Sequence, residues 1–131
     1  MNRLFKGLLL ATFIAVFSSS CSPSLPEIGG DFDSEVWKKD ELGCGGERAK
    51  MLDDLLDNKD VLVELREADV RIMFGRPDEV ELFSRSQKFY LYYVKHGGQC
   101  PNEGGKEVGQ MLELSLDALG RVHELNVRQK L

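Results

Sequence analysis

Only two histidines occur in this chain of 131 residues, and its three cysteines are scattered rather than paired. The sequence has no G-x-S-x-G elbow, no H-E-x-x-H helix, no C-x-x-C pair and no P-loop. Gly104-Gly105-Lys106-Glu107 lacks both the spacing and the Ser/Thr of a phosphate cradle. Asp53 and Asp54 are adjacent carboxylates within a helical pattern, where they read as a solvated face rather than an acid/base pair. A non-enzymatic protein is expected, with no catalytic residue, no metal and no small-molecule substrate. Basic residues are also short, 17 against 22 acidic ones for a formal charge of −5. A nucleic-acid partner is excluded on that ground, because phosphates demand a basic face. The length allows one domain, and 42% hydrophobic residues are too many for a disordered chain.

What is present begins with an address. Arg3 and Lys6 precede the uncharged stretch Gly7–Phe17, and Ser18-Ser19-Ser20 supplies small residues before Cys21. This is the layout of a secretory signal, and its apolar run is short of the roughly 20 residues needed to span a bilayer. The order resembles a bacterial lipoprotein signal, in which the cysteine becomes the acylated mature amino terminus. An ordinary signal peptide cut nearby, leaving Cys21 a stray thiol, is the alternative. The expected organisation is a signal at residues 1–20, a flexible tether at 21–31 and a single domain at 32–131. Loss of Arg3 and Lys6 with the signal carries the formal charge from −5 to −7. Such a domain has no general attraction to anionic headgroups, so membrane contact is assigned to the covalent lipid on Cys21, the only cofactor expected.

An odd cysteine count in an exported chain demands a reason, and acylation of Cys21 supplies one. Cys44 and Cys100, each beside glycines, are then left to pair as a disulfide in an oxidising compartment. Two buried free thiols remain an alternative, as does a Cys₂His₂ metal set with His96 and His123, although the spacing lacks that signature.

Asp33 or Ser34 is placed to cap a short helix carrying Val36 and Trp37, ended by Gly43. Met51, Leu52, Leu55 and Leu56 make one stripe of a helix over 47–56, and a third helix is expected over 62–74, stopped by Gly75 and Pro77. The period then changes to two. Residues 89–95, 111–117 and 121–127 read as strands, with Val80–Phe83 as a further short one. Asp117-Ala118-Leu119-Gly120 reads as a hairpin turn, and His96–Gly109 as a long loop. Phe89, Leu91 and Tyr93 are expected to join the leucine face of residues 112, 114 and 116. Tyr90 and Tyr92 then point outward as partner-binding side chains, or as mere cross-strand stabilisers. Trp37 is either a core anchor or a third contact residue. Helices followed by a strand meander make an α+β fold.

The stretch Val70-Arg71-Ile72-Met73-Phe74-Gly75-Arg76-Pro77-Asp78 resembles the helix and Leu-Gly-x-Pro corner of the BamE/SmpA-like (OmlA-like) lipoproteins. The aromatic strand from Phe89 to Tyr93 and the Leu112–Val122 hairpin follow in that family's order. The resemblance, over residues 62–127, implies two helices packed on a three-stranded antiparallel meander; here a short extra helix precedes them. It also implies a non-enzymatic role beside the machinery that inserts β-barrels into the outer membrane. Glu64-Leu65-Arg66 replaces the family's Gly-Met-Thr, and the segment from Trp37 to Cys44 has no counterpart. The expectation is an envelope lipoprotein that recognises another envelope protein. Ser22 after Cys21, as in enteric lipoproteins, favours the outer membrane, facing the periplasm. An inhibitor or ligand-sequestering module of similar architecture is the alternative, since such folds also plug enzyme active sites.

Overall fold

The computed structural model describes residues 24–101 and 109–130. Short helices come first: α1 Ser34–Lys39, α2 Glu47–Asp57, α3 Lys59–Leu62 and α4 Glu67–Phe74. Strands β1 Glu79–Leu82, β2 Lys88–Tyr93, β3 Gln110–Leu116 and β4 Val122–Gln129 follow, forming one antiparallel sheet in sequence order. The fold is α+β, but the meander has four strands where three were expected. The short stretch Val80–Phe83 supplies most of the extra edge: Val80 pairs with Tyr90 and Leu82 with Lys88.

Local chemistry accounts for most boundaries. Asp33 caps α1, its carboxylate accepting the N–H groups of Glu35 at 2.8 Å and Val36 at 3.0 Å. Gly75, at φ 76°, ends α4, and Pro77 keeps the chain from re-entering a helix. The helix expected over 62–74 is broken. Glu64 takes a left-handed backbone (φ 73°), and its N–H donates to the Val122 carbonyl at 2.7 Å. Val122 returns the bond to the Leu65 carbonyl at 2.9 Å, so the sheet claims backbone groups a continuous helix would have used.

The stripe of α2 packs as its spacing demands, with Met51, Leu52 and Leu55 buried and Leu56 partly so. The core lies between the helices and one sheet face, built on Leu112, Leu114, Leu116, Val122 and Leu125. The region expected to be a tether is corrected for its described part. Leu25 and Ile28 pack against the core, and the Asp31 N–H donates to Asp54 at 2.8 Å. Two apolar side chains among prolines and glycines suffice to fasten it. Cys21 and the signal at 1–20 lie outside the described residues. Among the described residues no helix is long and apolar enough to cross a membrane.

Candidate contact surface

The tyrosines expected to face outward face inward. In an antiparallel pair, residues directly opposite share a face. Tyr90 stands opposite Leu114 and Tyr92 opposite Leu112, which puts both on the leucine face under the helices. Both are buried, as is Trp37, so none of the three presents a surface. Their environment is that of core aromatics. Trp37 packs edge-on to Phe74 with centroids 5.4 Å apart, and Tyr92 lies 5.7 Å from Phe74. The hydroxyls still find partners: Tyr92 donates to the Gly75 carbonyl at 3.0 Å, while Tyr90 donates to Glu67 and accepts from Arg71 at 2.8 Å. Burial raises the pKa of both phenols.

Phe89, Leu91 and Tyr93 occupy the opposite face, where Leu91, Tyr93 and Met111 form a second, smaller cluster with Leu42 against it. Long charged side chains from the outer strands cross this face. Arg128 of β4 reaches Glu81 of β1 at 2.7 Å and pairs with Glu113 of β3, its guanidinium 5.6 Å from the Phe89 ring centre. Lys130 pairs with Glu79 and donates to the Tyr93 hydroxyl at 2.7 Å. The Lys130 bond, then the Tyr93 bond, hold the Glu79 carboxyl below its ordinary pKa; Lys88 and Tyr90 do the same for Glu67. This face is filled with satisfied charge.

Cys44 and Cys100 are joined by a disulfide, their Cα atoms 5.7 Å apart. Both sulfurs are therefore spent, and the alternatives of free thiols and of a set with His96 and His123 fall. Among the described residues no group of three or more ligating side chains is placed to hold a metal ion. Beside the bridge, Gly43 (φ 66°) comes so near β2 that a Cβ there would lie 2.6 Å from the Tyr93 carbonyl oxygen.

Arg48 organises this end of the sheet, and its place on a helix face gave no sequence signal that it would be buried. Its side chain is 3% exposed, and it donates to Asp78 at 2.6 Å and to the carbonyls of Tyr93 and Trp37 at 3.0 Å each. Asp40, also buried, accepts the N–H of Arg48 at 2.8 Å and of Gly45 at 2.6 Å. These contacts close α1, α2, the Pro77 corner and β2 on one another. They hold these segments together.

β1 and β4 are the two edges of the sheet, and of these β1 is the one that exposes large apolar side chains. The Phe83 N–H donates to Gln87 at 2.9 Å, which makes residues 79, 81 and 83 the rows bonded to β2. The N–H and C=O of Val80 and Leu82 consequently point away from the sheet, as on any edge strand. Their side chains are also exposed, Val80 by 49% and Leu82 by 79%. An edge with free backbone groups and apolar side chains is a template for strand addition. No family model, no curated protein and no solved structure matches the chain.

Proposed function

We propose that this chain is a lipid-anchored cell-envelope protein that acts by contact and without catalysis, offering the β1 edge to another envelope protein. The observation that carries the reading is that edge, where Val80 and Leu82 are exposed beside backbone groups turned away from β2. The lipoprotein-type signal before Cys21 supports the compartment, and the Cys44–Cys100 bridge suits an oxidising one. The resemblance to the BamE/SmpA-like lipoproteins extends the proposal to outer-membrane protein assembly on the periplasmic side.

A photo-reactive residue placed at Val80 in cells tests it. The expected outcome is a cross-link to an envelope protein from position 80 and none from position 50, on the exposed side of α2. Equal or absent cross-linking at both positions contradicts the β1 surface. A one-to-one adduct with a hydrolase replaces the assembly role with inhibition.

A further inference from the structure

The sheet register puts two turns at the same end of the molecule. Lys88 and Leu116 face each other across β2 and β3, so the β1–β2 turn over 83–87 and the β3–β4 turn over 117–121 project the same way. With neighbouring strands about 4.8 Å apart, the two turns stand roughly 10 Å from each other. The start of the described chain is there too. Ser24, Leu25 and Pro26 line a recess with Val61, Arg66 and Arg121, and Arg121 belongs to the second turn. Cys21 is three residues upstream of Ser24 in the sequence.

Each turn exposes an apolar side chain. In the second turn, Asp117 accepts the N–H groups of Leu119 and Arg121 at 2.9 Å each, and Gly120 provides the left-handed backbone (φ 72°). The Leu119 side chain contributes nothing to this and is 79% exposed; Phe83, at the first turn, is 61% exposed, with one side of its ring resting against Phe89 at a centroid distance of 5.8 Å. Most charges at this end come in opposing pairs, Arg121 with Glu64 at 3.3 Å, Arg66 with Asp69 at 3.2 Å and Lys88 with Glu67 at 2.6 Å, while Arg85 stands exposed at the tip of the first turn outside these pairs. Leu119 stands apart from Phe83 and its exposed neighbour Leu82, so the two turns do not present one contiguous packed core of a protein interface. They suit a fluid medium that closes around each one, with the Arg85 guanidinium left at the polar level of the interface.

We infer that this end of the domain seats on the bilayer surface, with Leu119 and Phe83 entering the lipid interface beside the anchor; the inference rests on the reading of Cys21 as acylated. The β1 edge then stands upright from the membrane, open to a partner from the side. Apolar insertion of this kind needs no anionic lipid, so phosphatidylcholine suffices.

The test uses the whole lipoprotein, extracted from membranes and reconstituted into phosphatidylcholine vesicles containing a doxyl-labelled lipid. One cysteine is introduced at a time, by Leu119→Cys, Phe83→Cys or Lys50→Cys, and carries an environment-sensitive fluorophore. The native sulfurs are occupied by the bridge and by the acyl thioether. Lys50 lies in α2 near Arg48, whose contacts are at the opposite end of the sheet. The expected result is at least twofold stronger quenching at positions 119 and 83 than at 50, unchanged by salt, with quenching at 83 reduced to the position-50 level by Leu119→Glu. Equal quenching at all three positions, with acyl groups on Cys21 by intact mass, overturns the seating and leaves the anchor standing. An unacylated Cys21 overturns both, and the mass measurement tells the two failures apart.

Discussion

At one end of the sheet a disulfide, a buried arginine and a glycine pressed against β2 bind four segments together, whereas at the other end two bare turns hold out a leucine and a phenylalanine. The first end spends its polar groups on itself: Asp40, Arg48 and Asp78 are all answered within the chain. The second pairs most of its charges at the surface and leaves Leu119, and much of Phe83, to the solvent. The contrast teaches where to look for a contact surface. Groups that are saturated locally hold the fold, and the exposed apolar side chains are the ones left for a proposal about contact.

The clamped end gives the largest expected effects. Replacing Cys44 and Cys100 by serine reopens a loop across a separation of 56 residues, for which the chain-entropy model gives about 4 kcal/mol, measured by urea unfolding under non-reducing conditions. Arg48→Met keeps the packing but leaves Asp78 without its ion pair, and is expected to cost about 3 kcal/mol in the same assay. A loss below about 0.5 kcal/mol in either variant breaks the contrast. Tyr92→Phe removes the bond to the Gly75 carbonyl and nothing else, so about 1 kcal/mol is expected. At the exposed end Leu119→Ser is expected to shift stability by less than about 0.5 kcal/mol, because the side chain touches solvent.

Titration sharpens the same picture. The carboxyls of Glu67 and Glu79 are held below their ordinary values in the folded state, so the unfolded chain takes up their protons first as pH falls. Their stabilisation is complete above the ordinary glutamate pKa near 4.3 and is lost through and below it. The phenols of Tyr90, Tyr92 and Tyr93 are raised, so the stability tied to them holds below about pH 10 and falls as pH rises further. Thermal melts by circular dichroism from pH 2 to 11.5 are expected to show a plateau with a decline on each side. A melting temperature that still climbs below pH 4 contradicts the assigned ion pairs.

Much of the fold is legible in the residues. The Asp33 cap, the α2 stripe, the Gly75–Pro77 stop and the alternating leucines of β3 each state a local preference that packing keeps. The errors concern relations between segments. Alternation in Phe89–Tyr93 fixes which residues share a face but not which face meets the helices. Both faces there are aromatic, so hydrophobicity leaves the choice to register. The break at Glu64 depends on a bond to Val122, 58 positions away, and no local signal reports it. Arg48 on an amphipathic helix reads as solvated until Asp78 and the Tyr93 carbonyl are seen beside it. The proposed contact surface is illegible for the same reason: the aromatics expected to be exposed belong to the core, and the edge that carries exposed apolar side chains is a four-residue strand with two glutamates.

The central claim is that a covalent lipid on Cys21 holds a small folded domain at a membrane in the cell envelope. Intact mass of the protein extracted from membranes tests it most directly. The account predicts a mature chain beginning at Cys21 and heavier than its sequence by two or three acyl chains on a glyceryl thioether; an unmodified chain, or one beginning elsewhere, contradicts it.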